Sequence, residues 1–337
     1  MARISSLSVV LLNFNHARFL RESLQAIVDQ SYQPLEIIAI DDASYDDSVS
    51  IIQEFAREHP SIRLVRNERN LGAMPTANLG ISLAQGDYVA IAPADDPILP
   101  GFYERSMGLL ARYPAAGACS ASALQVTGDG ARKGILKPTI SCQAERFIPP
   151  GEALALLRRY GPWYVGPATI YRRQSVLDCG GFRPELGSSA DSLLFIILAL
   201  RYGVCYIPTP LACWRQADDS FSARTYADPQ TMLRQIQRAL ELAADEFGDL
   251  FPRDLLAQLR SRWIYAAGMS FLDALRKTRI EGMRGFMPSA SMTDRVLLTW
   301  LDISGQAHLF FFRMYFFLRL RLWGCPTVSP NPTRSQP

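Results

Sequence analysis

The stretch that decides the fold runs from residue 8 to residue 48 and reads SVVLLNFNHARFLRESLQAIVDQSYQPLEIIAIDDASYDDS. It begins with a short run that is apolar on both faces, as a strand buried in a parallel sheet requires. Apolar residues at helical spacing follow, and the dipeptide Gln33-Pro34 ends that helix before LEIIAIDDAS supplies a second apolar run. The stretch therefore predicts a strand, a helix and a strand in succession.

The same alternation continues over the first hundred residues. DDSVSIIQEFAREH predicts a second helix, IRLVRN a short third strand, ANLGISLAQG another helix and GDYVAIAPADD a fourth strand. Strands that alternate with helices form right-handed βαβ units and a parallel sheet covered on both faces. The predicted fold class is therefore α/β. Further along, VCYIPTPLACWRQ predicts edge strands broken by prolines.

Polar residues cluster where the predicted strands end. NFN follows the first strand, DDAS the second, RNERNLG the third and ADD the fourth. In α/β sheets ligands bind at the carboxyl ends of the strands, so these groups are expected to converge on one crevice.

The last of these groups contains two adjacent carboxylates, Asp95 and Asp96. Hard cations such as Mg²⁺ and Mn²⁺ take oxygen ligands and usually keep positions open for phosphate oxygens, so one or two carboxylates suffice. By itself the pair is explained more simply by a turn or a helix cap after a buried strand. The metal interpretation points to a substrate that carries phosphate.

Composition bounds the class of protein. The chain has 337 residues, of which 48% are hydrophobic, enough for one large domain or two ordinary ones. Its formal charge of +3 provides no global field for nucleic acid. The six cysteines are scattered without a CxxC pair, which indicates reduced cytosolic thiols. The apolar start is too short for a signal peptide, and no uncharged apolar run is long enough for a membrane span.

Beyond about Thr225 the composition shifts to helical patterns. We expect a catalytic domain over 1–224, a helical C-terminal region over 225–324 and a disordered tail over 325–337. Within the second region LFFFRMYFFLRLRLWG, residues 309–324, mixes aromatic residues with arginines. It fits either a helix lying at a membrane surface or a docking helix packed on the protein or on a second subunit.

Taken in order, these pieces resemble family 2 of the inverting glycosyltransferases, which have the A-type glycosyltransferase fold. The resemblance covers residues 7–216. The opening stretch matches the family's strand, Asn-ending turn, helix with Gln-Ser-Tyr, and strand ending in Asp-Asp-Ala-Ser. NLGAMPTANLGISLAQGDYVAIAPADD resembles its Asn-x-Gly, Gly-Asp-Tyr and acidic motifs, and GGFRPELGSSADSLLFIILALRYG the segment leading to its catalytic acid. It implies a single Rossmann-like nucleotide-diphospho-sugar transferase domain, with a mixed, mostly parallel sheet flanked by helices, plus the helical C-terminal extension.

The resemblance also implies residues that bind the donor nucleotide. It places Asp41 at the nucleotide base, where a carboxylate can accept the imide N–H of uracil or thymine, which favours a UDP or dTDP donor. A turn and a helix cap are the alternative for Asp41 and Asp42. The other expected donor-binding residues are Leu12, Phe14, Asn15 and Asn70.

Metal and catalytic roles follow from the same resemblance. Asp95, with Asp96 beside it, falls where the family binds the metal ion, Mn²⁺ or Mg²⁺, that stabilises the departing diphosphate. Asp191 falls on the general base that takes the proton of the acceptor hydroxyl from the opposite side of the sugar. The alternative for Asp191 is an N-cap of the apolar helix, which Ser188 or Ser189 could also supply.

Acceptor-facing residues are expected between Trp163 and Thr169 and near the end of the domain. The candidates are Trp163, Trp214 and Arg215. The expected acceptor is a saccharide or a lipid-linked saccharide.

Several positions depart from the family pattern. An acid two positions before Asp95 is replaced by Pro93, which predicts weaker metal binding. The Glu that usually precedes the base is Ala190. Ala77 and Gln216 replace an Arg and a His that the family often has.

The predicted function is transfer of a sugar from a nucleotide-sugar to an acceptor hydroxyl with inversion, in surface polysaccharide or glycolipid assembly. We expect a cytoplasmic protein, which would be peripheral on the inner face of the membrane if 309–324 is an interfacial helix. The sequence allows both a monomer and an oligomer. One alternative is a catalytically silent nucleotide-sugar-binding or scaffold protein. Another is a polyprenyl-phosphate sugar transferase, whose phosphate acceptor needs no strong base. A nicotinamide dehydrogenase is disfavoured because no GxGxxG follows the first strand.

Overall fold

The computed structural model describes residues 5–136, 140, 142–216 and 228–274. These residues fall into two compact units, one within Met1–Ala155 and Pro162–Ser220 and the other within Leu156–Gly161 and Phe221–Pro337. The expected boundary at 224, the aromatic segment 309–324 and the tail 325–337 lie outside the described residues and stay predictions.

The first unit contains the strands and most of the helices. The strands are β1 (Leu7–Asn13), β2 (Glu36–Asp41), β3 (Ile62–Arg66), β4 (Tyr88–Pro93), β5 (Ala118–Thr127), β6 (Arg132–Leu136), β7 (Arg146–Ile148), β8 (Thr169–Arg172) and β9 (Val204–Gln216). The helices are α1 (Ala17–Val28), α2 (Ser48–Glu58), α3 (Ala73–Leu83), α4 (Phe102–Arg112), α5 (Pro150–Tyr160), α6 (Arg173–Asp178) and α7 (Ala190–Tyr202), and α5 ends in the second unit. Short 3₁₀ turns lie at Gly166–Ala168 and Pro184–Ser189.

All the strands of the described part belong to one sheet. Its order is β3-β2-β1-β4-β8-β5-β9-β7, and β6 pairs with β5. Strands β1 to β4 are parallel to one another, β8 is antiparallel to both β4 and β5, and β9 is parallel to β5. This mixed, mostly parallel sheet with flanking helices confirms the predicted α/β fold class.

Strand β1 lies in the middle of the core, as its apolar sequence predicts. Leu7, Val9 and Leu11 are completely buried in one hydrophobic cluster. Each such side chain contributes about 1.5–3 kcal/mol through burial. On the other face α3 passes so close to β1 that a side chain at Gly80 would overlap Val10. The close approach explains a glycine in the interior of a helix, where it otherwise lowers stability.

The expectation of edge strands near residue 210 was wrong. β9 is one strand that lies between β5 and β7. Its register with β5 shifts between Ile207 and Pro210, which absorbs the two prolines as an irregularity within the strand. Proline is tolerated there because the ladder is already interrupted.

The sheet brings distant residues to one edge. The carboxyl ends of β1 to β4 share this edge because these strands are parallel. Strand β8 runs the other way, so its beginning at Thr169 lies at the same edge, together with the end of β9. A site assembled there draws on residues from most of the first unit.

The second unit is helical in its described part, with α8 (Pro229–Asp245) and α9 (Arg253–Ala274). Arg262 on α9 donates to the carbonyl oxygens of Leu157 at 2.6 Å, Arg158 at 2.6 Å and Arg159 at 3.0 Å. These carbonyls end helix α5, where a cation satisfies unpaired acceptors and the helix dipole. None of the described helices combines the length and hydropathy needed to cross a bilayer.

Candidate functional site

The ends of β1 and β2 are joined through a buried carboxylate. Asp41 is completely buried, and its Oδ1 accepts from the Asn13 side-chain amide at 2.9 Å. Its Oδ2 accepts from the Ser44 N–H at 3.0 Å. Asp41 therefore fixes the turn after β2, as the capping alternative predicts. Each carboxylate oxygen has two lone pairs, so acceptor capacity remains for a ligand N–H.

Two aromatic rings stand beside this turn. Asn15 has a φ of 55°, a left-handed conformation that asparagine tolerates, and its Oδ1 accepts from the Tyr45 N–H at 2.9 Å. The Phe14 and Tyr45 rings meet edge to face at 6.3 Å, and Tyr45 is 88% exposed. The structure thus brings together, at the ends of two paired strands, Leu12, Phe14, Asn15 and Asp41.

Asp42 has a different set of partners. Its carboxylate accepts from the Asn67 side chain at 2.7 Å and from the backbone N–H groups of Leu71 at 2.9 Å and Gly72 at 2.8 Å. Asn70 is exposed in the same loop, and its Oδ1 also accepts from the Gly72 N–H. Asp42 therefore shapes the loop between β3 and α3 that carries Asn70.

The two carboxylates after β4 differ in their surroundings. Asp96 is 8% exposed, and its Oδ1 accepts from the Arg215 N–H at 2.6 Å. Burial and the neighbouring Asp95 charge raise the pKa of Asp96 well above its usual range, although Arg215 opposes this shift. The Asp95 side chain is 15% exposed, with Oδ1 3.7 Å from the His16 Nδ1. Asp95 is the more accessible of the two.

Arg215 holds this loop from the end of β9. Its Nε donates to the Asp95 carbonyl at 2.8 Å, and its guanidinium pairs with the Glu22 carboxylate at 2.9 Å and lies 4.4 Å from the centre of the Phe19 ring. Further donation reaches the carbonyls of Thr127 and Gly128. The guanidinium thus ties together α1, the β4 loop and the end of β5.

The other two acceptor candidates also lie close to the core. Trp163 is buried, with its indole edge-on to Phe195 at 5.7 Å. Trp214 is partly buried and packs against the main hydrophobic cluster. The acceptor role of Trp163, Trp214 and Arg215 stays a prediction.

Asp191 lies in the first turn of α7, two residues after the N-cap position of Ser189. Its Oδ1 accepts from the Tyr164 hydroxyl and from the Ser192 N–H, both at 2.8 Å. Burial raises the pKa of Asp191 to about 6, while these two hydrogen bonds act in the opposite direction. A carboxylate with a pKa near 6 is a stronger base than an exposed one and is still largely charged at neutral pH.

The segment that leads to α7 docks on α3. The Asn78 side chain donates to the Phe182 carbonyl at 2.7 Å and accepts from the Phe182 N–H at 2.9 Å. Gly181 has a φ of +72°, and a Cβ there would lie 2.6 Å from the Asn78 Oδ1. This close, two-bond contact therefore explains the glycine at position 181.

The donor set after β4 fits a hard divalent cation. Asp95 is partly exposed. In Asp96 the oxygen that accepts from the Arg215 N–H is Oδ1, so Oδ2 is the oxygen that could bind a cation. Within the described ranges no three His, Cys, Asp or Glu residues group as metal ligands. The protein would thus supply one or two carboxylates, as is common for Mg²⁺ or Mn²⁺ that also binds phosphate oxygens.

Sequence reasoning missed several residues of this region. His16 directly follows the NFN turn and could have been found from its position. Tyr164 lies inside the predicted acceptor stretch but has no spacing that links it to Asp191. The Glu22 partner of Arg215 is 193 residues away and leaves no sequence signal.

Comparisons with known proteins agree with this architecture. The model of glycosyl transferase family 2 matches residues 8–180. An uncharacterized protein of Mycobacterium tuberculosis is 28% identical over 288 residues, which are 82% of this chain and 88% of that protein.

Two solved structures share the fold. TarS residues 1–349 from S. aureus, in complex with UDP-GlcNAc, superpose with a TM-score of 0.64 at 16% identity, over 95% of this chain and 90% of that one. The mannosyltransferase PcManGT from Pyrobaculum calidifontis, in complex with GDP-Man and Mn²⁺, superposes with a TM-score of 0.57 at 18% identity. The superposition covers 96% of this chain and 88% of that one. These likenesses confirm the predicted A-type glycosyltransferase fold. Because the family model matches just over half of the chain, from β1 to β8, the chain belongs to glycosyl transferase family 2.

Proposed function

We propose that this glycosyltransferase moves a sugar from a nucleotide-sugar to an acceptor hydroxyl with inversion at the anomeric carbon. The observation that carries the proposal is that Asp41, Asp95 and Asp191 belong to segments at one edge of the sheet and have different environments. Asp41 is buried and hydrogen-bonded, Asp95 is partly exposed, and Asp191 has a raised pKa. Three carboxylates in three environments suit three roles.

The nucleotide is proposed to lie over the turns after β1 and β2. Phe14 and Tyr45 offer ring faces for a base, and Asp41 retains acceptor capacity for an imide N–H. UDP or dTDP is the proposed carrier, with Leu12, Asn15 and Asn70 as further contacts. A structural neighbour solved with UDP-GlcNAc supports a nucleotide-sugar donor.

Asp95, with Asp96 beside it, is proposed to hold Mn²⁺ or Mg²⁺ at the diphosphate. When bound, such an ion offsets the negative charge that develops on the departing diphosphate. Asp95 is the principal ligand in this proposal because Asp96 is buried and already accepts from Arg215. The Mn²⁺ bound with the neighbouring mannosyltransferase supports a divalent ion. Pro93 offers no further carboxylate to the ion.

Asp191 is proposed to be the general base. It takes the proton of the acceptor hydroxyl as that oxygen bonds to the anomeric carbon, while the bond to the diphosphate oxygen breaks on the opposite face. The electron pair of that bond leaves with the diphosphate, so charge balances. A saccharide or lipid-linked saccharide acceptor, in surface polysaccharide or glycolipid assembly, is proposed from the sequence. A cytoplasmic location, with contact at the inner membrane face, is also proposed from the sequence.

Nucleoside diphosphate binding tests the donor half of the proposal. UDP, dTDP and GDP are compared by thermal shift with and without Mn²⁺, since a ligand that binds only the folded state raises its melting temperature. We expect the largest shift with UDP or dTDP, dependent on Mn²⁺. Equal shifts without the ion would contradict the metal role.

Donor hydrolysis tests the enzyme. We expect Mn²⁺-dependent release of nucleoside diphosphate that is lost in Asp95→Ala and retained in Asp178→Ala, a control at an exposed carboxylate at the end of α6. A release rate that changes neither on removal of Mn²⁺ nor in Asp95→Ala would favour the catalytically silent alternative, which Pro93 and Ala190 suggest. If Asp191→Asn leaves transfer unchanged while Asp95→Ala abolishes it, a phosphate acceptor is favoured.

A further inference from the structure

The two carboxylate oxygens of Asp191 have unequal surroundings. Oδ1 accepts two hydrogen bonds, one from the Tyr164 hydroxyl and one from the Ser192 N–H, each 2.8 Å long. A carboxylate oxygen has two lone pairs, so Oδ1 has no capacity left for a third donor. Oδ2 instead faces the backbone at Gly166, where an added Cβ would lie 3.0 Å from it. Oδ2 is therefore the oxygen that can take a proton.

The Tyr164 hydroxyl is held in place by packing. Its ring stacks on Phe195 at 5.2 Å with an interplanar angle of 25°, and Phe195 lies one helical turn beyond Asp191 on α7. The ring and the carboxylate that it contacts are therefore fixed by the same helix. A hydrogen-bond donor on a packed ring orients its acceptor without loss of side-chain freedom at each turnover.

The backbone between Tyr164 and β8 is also fixed. The Val165 N–H donates to the Ser120 hydroxyl at 3.1 Å, and the Thr169 hydroxyl lies 2.9 Å from the Ser120 hydroxyl and donates to the Val165 carbonyl at 2.7 Å. Ser120 lies on β5 and is buried. The turn that contains Gly166 is thus anchored to the sheet on the side of Oδ2.

We propose that Tyr164 is a positioning residue that holds Asp191 Oδ1, so that Oδ2 takes the acceptor proton through the space that Gly166 leaves open. This inference rests on the proposed function, because it assumes that Asp191 is the base. In the step, the O–H bond of the acceptor breaks and its proton passes to Oδ2. The oxygen's electron pair forms the new bond to the anomeric carbon, and the diphosphate leaves with the electrons of the old bond.

Among the described residues, Tyr164 is the residue whose side chain hydrogen-bonds to Asp191. Burial raises the pKa of Asp191, and Tyr164 and the Ser192 N–H lower it. Burial, and after it the charge of Asp191, raises the pKa of Tyr171. The ionisable groups on the elements around α7 are Tyr164, Tyr171 and Arg172 on β8, Glu185 in the turn Pro184–Ser189, Arg173 and Asp178 on α6 and Cys119 on β5.

Tyr164→Phe is the first test, because it removes the hydroxyl and keeps the ring. The loss of a hydrogen bond to the charged form is expected to raise the pKa of Asp191 by about one unit. NMR titration of protein labelled at the aspartate Cγ measures this directly, with the signal assigned by its loss in Asp191→Asn. The control is Tyr32→Phe, which removes a hydroxyl bonded to the Ser5 carbonyl at the opposite end of β1.

The same variants are compared in donor hydrolysis with Mn²⁺. The probe is whichever of UDP-glucose, UDP-GlcNAc, UDP-galactose and GDP-mannose is hydrolysed fastest, and kcat/KM is followed from pH 5 to pH 9. The acidic limb of the profile reports the base in the free enzyme. It is expected to move to higher pH by about one unit in Tyr164→Phe and to stay in place in Tyr32→Phe.

Gly166→Ala tests the space at Oδ2. The added methyl group is expected to lower kcat/KM about tenfold or more, because it crowds the proton-accepting oxygen. UDP is expected to raise the melting temperature as in the wild type, which shows that the donor site is intact. Gly108→Ala is the control, since a Cβ there meets open space.

The outcomes separate this inference from the function on which it rests. An unshifted Asp191 titration and an unmoved acidic limb in Tyr164→Phe, with Asp191→Asn inactive, would overturn the role of Tyr164 and leave the base in place. Wild-type activity in Gly166→Ala would overturn the assignment to Oδ2. Wild-type hydrolysis by Asp191→Asn would remove the base itself and both statements with it.

Discussion

The backbone N–H of Arg215 donates to Asp96 Oδ1 over 2.6 Å, joining residues 119 positions apart in the chain. The guanidinium of the same residue holds the carbonyl of Asp95. One residue at the end of β9 thus fixes both the side chain and the backbone of the acidic pair. The geometry of the proposed metal loop depends on a strand that is distant in sequence.

Arg215→Ala is expected to lower the free energy of unfolding by about 3 kcal/mol, because it leaves partly buried carbonyl oxygens without a donor and opens a cavity where the buried Arg215 side chain lay. Urea unfolding measures this loss. Arg215→Lys keeps the charge but not the fork of donors, so an intermediate loss is expected. Glu22→Gln is the control: Glu22 is 60% exposed, and its exchange is expected to cost less than about 1 kcal/mol. Equal losses in Glu22→Gln and Arg215→Ala would contradict this account.

Asp95→Asn and Asp96→Asn are expected to differ in metal use. Asp95→Asn should raise the Mn²⁺ concentration needed for UDP binding by about tenfold or more, because it removes the accessible charged ligand. Asp96→Asn should have the smaller effect, because an asparagine Oδ1 can still accept from the Arg215 N–H. Thermal shift against Mn²⁺ concentration at fixed UDP measures both. A larger loss in Asp96→Asn would exchange the two roles.

Asp191→Asn is expected to be inactive and yet more stable than the wild type at pH 8. The folded-state pKa of about 6 lies above the ordinary 3.8, so burial favours the protonated form. Stability from this group is complete below pH 4 and is lost as the pH rises through 6. Removal of the charge is then worth up to about 3 kcal/mol above pH 7, at about 1.4 kcal/mol per pKa unit.

Melting temperatures of Asp191→Asn and the wild type at pH 4, 6 and 8 check this sign. The difference should be near zero at pH 4 and largest at pH 8, and Asp178→Asn should show no such trend. A stabilisation that is largest at pH 4 would show that burial of the charge is not its cause.

Gly181→Ala and Gly180→Ala form a matched pair at adjacent positions. Both glycines have a positive φ, of +72° and +79°, so both substitutions cost about 1 kcal/mol in backbone strain. Only at Gly181 would the new Cβ also meet the Asn78 amide, at 2.6 Å, whereas at Gly180 it meets the flexible end of Arg183 at 3.0 Å. We expect Gly181→Ala to lower the melting temperature clearly more, and equal effects would contradict the docking contact.

The first half of the fold could be predicted from the sequence. The apolar runs of β1, β2 and β4 and the helical spacing of α1 are local patterns that burial imposes, and Asp41 and Asp95 stand out because they end such runs. The position of β8 could not be predicted, because its antiparallel pairing with β4 depends on contacts between distant segments. That pairing is what brings Gly166 and Asp191 to the edge that holds Asp95.

Side-chain direction was the other limit. Trp163 and Arg215 are predicted acceptor contacts because of where they lie in the sequence, in the stretch from Trp163 to Thr169 and near the end of the domain, and that prediction says nothing of side-chain direction. The structure buries the Trp163 indole against Phe195 and turns Arg215 toward protein carbonyls. Such orientations follow from tertiary packing, which a pattern of residue types does not contain.

The hydrogen bonds of Arg215 also determine when, during synthesis, the loop of Asp95 and Asp96 can reach its final structure. Strands β1 to β4 and the acidic pair leave the ribosome long before β9, whose residues 204–216 complete the sheet beside β5. A nascent chain that stops short of β9 lacks both of the bonds that Arg215 makes to Asp95 and Asp96. The loop of Asp95 and Asp96 is therefore the last part of the proposed site to be completed, although it is translated more than a hundred residues before β9.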